Sequence, residues 1–228
     1  ISTTPSALGQ QPMIGSGVLN PMSDDEGLGF ELLDSLNDDQ RSLAVIHDVA
    51  PADFVSRQVP LIGALEYPDH YDLGMPQYQI TTTDRKALAL VRDQPSGIAA
   101  DRLVETQQAL LTRLVDTYLA RLPARAAGEY RAQIDADGPT ETHFAWAGGQ
   151  VRGKPHYFRV HTRSLLIEMV NAVDSGNHLH SVIRDFEHDF AHDSLRDHAA
   201  HLAEHGSHLS TRTTSSEGTE LRANDWSW

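Results

Sequence analysis

An α+β fold, with N-terminal helices packed on an antiparallel β-meander and a C-terminal helix after it, is predicted by three features of this 228-residue chain. Apolar residues recur at helical spacing ahead of residue 135. They then alternate with polar residues in four short runs, 142–147, 156–162, 165–171 and 177–184. The connections between those runs are too short for a parallel crossover, which needs about a dozen residues or more.

The opening stretch, 1–23, is rich in Ser, Gly and Pro and has neither a basic nor an apolar signal region, so it reads as a flexible arm. Because the chain starts at Ile1, it reads as a processed or trimmed product. A single α+β domain is expected over 24–208, with a polar tail over 209–228. Within it, 35–50 reads as a helix: Asn37 and Gln40 have capping-box spacing, and Pro51 follows the end. Pro51, Pro60, Pro68, Pro76 and Pro95 break up 51–97, which is expected to be mostly irregular with short strands near 59–65 and 78–82. The longest helix is predicted over 99–122, where Leu103, Leu110, Leu114, Tyr118 and Leu122 fall on one face. A second covers 124–134, and another is expected over 192–205.

Composition excludes several classes of function. Formal charge is −14, with no Lys/Arg cluster, so nucleic acid is not an expected partner. No apolar run is long enough to predict membrane insertion. There is no cysteine, hence no disulfide, thiolate metal site or cysteine nucleophile, and any metal must be held by nitrogen and oxygen.

The alternation gives each strand one apolar and one polar face. Phe144 and Trp146 oppose His143; Phe158 and Val160 oppose Tyr157, Arg159 and His161; Leu165, Ile167 and Met169 oppose Glu168; Leu179 and Ile183 oppose His178 and His180. One sheet face should therefore collect imidazoles, a guanidinium, a phenol and a carboxylate, where a solvated face would carry Thr, Lys, Ser and Glu. Eleven of the thirteen histidines lie between His143 and His208, and His178 and His180 sit two apart on one strand. Such a pair is a common start to a transition-metal site.

The expectation is a small metalloenzyme with one transition-metal ion, copper or iron before zinc. Its ligands would be His178, His180 and His143, with Asp185 as a further candidate from the run H-x-H-x4-D. Glu168 would serve as ligand, as an acceptor orienting an imidazole, or as general base, Tyr157 would assist proton transfer, and Arg159 would grip an anionic or polar small-molecule substrate. The plainer reading of Glu168 and Arg159 is a cross-strand ion pair. Oxidative chemistry is expected first and zinc-dependent hydrolysis second. A non-catalytic metal-binding or sensing protein, and a metal-free ligand-binding module, remain as alternatives. The run HLAEH, His201 to His205, formally matches a zinc-protease motif but lacks the later ligand helix, so it reads as a chance match in a histidine-rich stretch.

The motifs H-F-A-W-A-G, H-Y-F-R, L-L-I-E, N-H-L-H-S-V-I-R-D and D-F-A-H-D, in that order, resemble an uncharacterised bacterial and fungal family, a domain of unknown function. The resemblance is specific over 140–193 and looser over 24–135. It implies no reaction. It singles out His143, Tyr157, Arg159, Glu168, Asn177, His178, His180, Arg184 and Asp185 as motif positions, with Asn177 and Arg184 joining Arg159 as candidate substrate contacts. His161 stands where the resemblance leads one to expect another residue and is left out. The family resemblance also implies an extracytoplasmic home.

Overall fold

A computed structural model describes residues 3–12, 20–63, 81–191 and 198–201. The chain divides into two compact units, 1–192 and 193–228; in the second, residues 198–201 are helical. The expected short strand at 78–82 and the HLAEH run fall largely outside the described residues, as does most of the expected C-terminal helix.

The first unit is built on a mixed sheet. Its elements in chain order are β1 (Ser6–Gln10), α1 (Ser23–Ser35), α2 (Asp38–Ala44), β2 (Val45–His47), α3 (Thr82–Leu88), β3 (Ile98–Ala99), α4 (Glu105–Leu119), α5 (Ala124–Asp137), β4 (His143–Gly148), β5 (His156–His161), β6 (Leu165–Val173) and β7 (His178–Asp185). Strands β4 to β7 form the antiparallel meander that the alternation predicts, in the order β1-β7-β6-β5-β4-β2, with β3 also pairing with β4. The sheet is mixed because β2 runs parallel to β4.

Differences from the sequence expectation have local causes. The stretch read as an arm supplies β1, which pairs with β7 and covers its edge. The Asn37–Gln40 capping box forms as expected and starts α2. That helix ends at Ala44, however, because β2 then joins the sheet, and α1 precedes it where none was expected. A second capping box, Thr81 with Asp84, starts α3 in the region read as irregular. The long helix begins at Glu105, since Ile98–Ala99 is drawn into the sheet beside β4.

Each sheet face carries its own core. The apolar face, with Trp146, Phe158, Ile167 and Ile183, packs beneath α1, α4 and the chain around them. Trp146 is fully buried, edge-on to Phe30 at 4.9 Å and stacked on His156 at 5.3 Å. Gly29 on α1 lies so close to the sheet that a β-carbon there would stand 2.6 Å from the Phe158 ring. The other face also excludes water: Ala50, Phe54, Val55 and Leu88 pack on Ala147, Tyr157, Val170 and Val182. This second cover decides which of the polar side chains remain accessible.

Candidate functional site

The cross-strand registers place Tyr157 opposite Val170, Arg159 opposite Glu168, and His143 opposite His161. They also place His180 opposite Val170, Val182 opposite Glu168, and Arg184 opposite Leu166. His143, Tyr157, Arg159, Glu168, His178, His180 and Arg184 thus share one face, joined by His161. Sharing a face does not bring them together.

Most of the charged groups are buried and engaged. Glu168 has no exposed surface. It accepts from the Val55 amide at 2.8 Å, the Ser56 amide at 3.2 Å and the Tyr157 hydroxyl at 2.9 Å. Burial pushes its carboxyl upward, and these hydrogen bonds together with the Arg159 charge offset part of that rise. Burial, then the neighbouring Glu168 charge, drives the Tyr157 phenol well above its usual range. Arg159 donates to the Leu88 and Ala89 carbonyls at 2.8 and 3.2 Å. Arg184 donates to the carbonyls of Ser56, Arg57 and Val59 and pairs with Asp189. These two guanidiniums hold the covering segments onto the sheet, where the sequence suggests grips for a substrate. Asn177 lies in the β6–β7 turn, its amide donating to the Val173 carbonyl at 3.2 Å.

The four expected metal ligands do not converge. His143 stands on β4, three strands from β7, so roughly 14 Å separates the two strands alone. It is also level with Arg184, four residues along β7 from His180. Burial lowers the pKa of its imidazole. Asp185 points through the other face, because alternation reverses it relative to Arg184. There it accepts from the Tyr130 hydroxyl at 2.6 Å and from the amides of Glu187 and His188. Those bonds hold its carboxyl low despite burial.

What does converge is His178 with His180. Their Nε2 atoms are 3.0 Å apart and their ring planes are perpendicular. The ring centroids are 4.6 Å apart, closer than a head-on pair of nitrogens would hold them, so the two ring axes meet at an angle. Behind the pair, His180 Nδ1 faces Asp53 at 3.4 Å and His178 Nδ1 faces Asp174 at 3.9 Å. Side chains of both histidines are partly open to solvent, 28% and 35% exposed. At 3.0 Å the two Nε2 atoms are within hydrogen-bond distance, so in the metal-free protein one carries a proton that it donates to the lone pair of the other.

Local sequence explains this placement. Between Val170 and Val173 the β6 chain carries one residue more than β7 opposite, a bulge that re-aims the start of β7. Asn171 in that bulge accepts from the His178 amide at 3.0 Å and donates to Glu26 of α1 at 2.9 Å. Asp53, Asp174, Asn171 and Glu26 were not singled out by the sequence. A bulge leaves no mark in the alternation until the partner strand is known, and Asp53 arrives from a distant loop.

Among the described residues, no group of three or more His, Asp or Glu side chains is placed to hold a metal, so the pair offers two protein ligands. Among them, too, no helix is long and apolar enough to cross a membrane. No curated protein and no solved structure matches the chain. A family model does match, over residues 1–192, and by that match the chain belongs to DUF3500, a family described as protein of unknown function.

Proposed function

We propose that this protein is a small metalloenzyme that binds one transition-metal ion through Nε2 of His178 and His180 and carries out oxidative chemistry on a small polar substrate. The observation that carries the reading is the convergent 3.0 Å pair of Nε2 atoms. With metal–nitrogen bonds of about 2.05 Å, that separation subtends roughly 94° at the ion, whereas a tetrahedral site would need about 3.3 Å. A metal there would displace the proton that the two nitrogens share, and imidazole nitrogens suit copper, iron and zinc alike. Two protein ligands at a partly open surface leave positions for water, dioxygen and substrate. Asp53 lies against His180 Nδ1, while Glu168, Tyr157 and the two buried arginines support the scaffold.

The test is metal analysis of the full-length chain, loaded with copper(II), iron(II) or zinc(II) and desalted, followed by electron paramagnetic resonance of the copper form. One equivalent with an axial spectrum and two coupled nitrogens is expected. It should vanish in His178→Ala/His180→Ala and persist in His143→Ala and Asp185→Asn. No stoichiometric ion, or an ion retained by the double variant, would overturn the reading. An ion that binds yet supports no oxygen uptake with small hydroxylated substrates would leave a metal-binding protein without the oxidative role.

A further inference from the structure

Where the His178–His180 pair meets the N-terminal strand, the neighbouring residue is a glycine. Strand β1 runs antiparallel to β7, with Ala7 opposite Val182 and Gly9 opposite His180. Gly9 is exposed, and its backbone is outside the left-handed region that calls for glycine. A β-carbon there would stand 3.2 Å from His180 Cδ2 and 3.8 Å from its Nε2. The first distance is shorter than ordinary van der Waals contact, 3.4–4 Å. Glycine weakens a strand interior, and where one stands it often marks the close approach of another group. Here that group is the His180 imidazole.

Three atoms of this ring each have their own neighbour. Nδ1 faces Asp53 at 3.4 Å, Nε2 meets His178 Nε2 at 3.0 Å, and Cδ2 faces the bare backbone of Gly9. Phe54 is a further neighbour, tilted at 46° with ring centroids 6.0 Å apart. A ring pushed from Cδ2 must shift or turn about its Cβ, and either movement changes how Nε2 meets His178. Beyond the strand, the Gln11 amide donates to Asp174, which stands 3.9 Å from His178 Nδ1. One N-terminal segment thus reaches both histidines.

We propose that β1 is a wall of the imidazole site and that Gly9 is its positioning residue. The missing side chain is the seat that aims His180 Nε2 at His178. For the proton shared by the two nitrogens this stands alone; for a metal it rests on the reading of the pair as a metal site.

Ring-nitrogen NMR of the metal-free, full-length protein tests the seat, with His178→Gln and His180→Gln identifying the signals. In the parent, one Nε2 should read as protonated and the other as its lone-pair acceptor. Gly9→Val favours the strand but fills the seat, so that pattern should be lost. Gly9→Ala adds only the β-carbon and should move the same signals less, which keeps the test readable if valine dislodges the strand. Ala7→Val, on the same face of β1 but opposite Val182, should leave them at the parent positions. Copper(II) alone, titrated into the same proteins, should bind Gly9→Val about tenfold more weakly than the parent. Signals unmoved by both Gly9 variants, or moved equally by Ala7→Val, would overturn the proposal. A parent that holds no copper would instead sink the metal reading, and the nitrogen signals would still decide the role of Gly9.

Discussion

Replacing Glu168 with alanine separates a supporting carboxylate from a catalytic one. In the folded protein three donors end on this side chain, the Val55 and Ser56 amides and the Tyr157 hydroxyl, at a position with no exposed surface. Alanine strands all three. A stranded buried donor costs about 1–3 kcal/mol, although the Tyr157 hydroxyl can rotate and the two amides cannot. Against this stands relief of the carboxylate's own burial, the cause of its raised pKa. The net loss should be about 3–5 kcal/mol, a large part of the roughly 5–15 kcal/mol that a domain commands. For a unit of this size the melting temperature should fall by roughly 10 °C. Urea unfolding followed by tryptophan fluorescence and circular dichroism reads the change. Glu168→Gln keeps one acceptor oxygen but turns an amide N–H toward the Ser56 amide, so it should lose about 1–3 kcal/mol. Because the raised pKa means the folded state holds its proton longer than the unfolded chain, ionisation of Glu168 removes stability as pH rises above 4.5. Glu168→Gln should abolish that part of the pH profile. If Glu168→Ala unfolds within about 1 kcal/mol of the parent, the carboxylate is not holding the covering loop, and the reasoning fails.

Two further outcomes follow from the same structure. His161 titrates near 4 when folded against an ordinary 6.5, so the unfolded chain takes up its proton first. Stability should then fall by about 3 kcal/mol as pH drops from 6.5 through 4, and His161→Phe should remove that slope; equal slopes in urea midpoints would refute the assignment. Glycine substitutions should diverge by site. Gly97 has φ +105°, and a β-carbon there would stand 2.2 Å from the Phe144 carbonyl oxygen, so Gly97→Ala should cost about 2–4 kcal/mol. Gly128 in α5 has nothing within 4 Å, so Gly128→Ala should stabilise by about 0.5–1 kcal/mol; melting temperatures that move together would contradict both.

The meander was legible because alternation over 142–184 is a direct record of which side chains share a face. Position across the sheet is a different quantity. His143 opens the first strand of the meander and His180 lies on the last, so chain order alone separates them by three strands. The fate of Arg159 and Arg184 was not legible, since apart from Asp189 their partners are main-chain carbonyls, and any residue at positions 56, 57, 59, 88 and 89 would supply those. Alternation did place His161 on the polar face beside Arg159. The resemblance leaves it out, and its burial against Phe186 comes from packing that no local pattern encodes. Helix α1 was missed because Gly27 and Gly29 weaken its signature, while Gly29 is the residue that permits its close approach to Phe158.

Asn171 touches both layers of the molecule. One end of its amide is fastened to Glu26 on α1, which also lies 3.3 Å from His156, and the other end holds the His178 main chain. The main chain at His178 is thus tied to the seating of a helix on the far side of the sheet. For the proposed metal pair, a small slide of α1 would open or close the bite between the nitrogens, and with it the preference among ions.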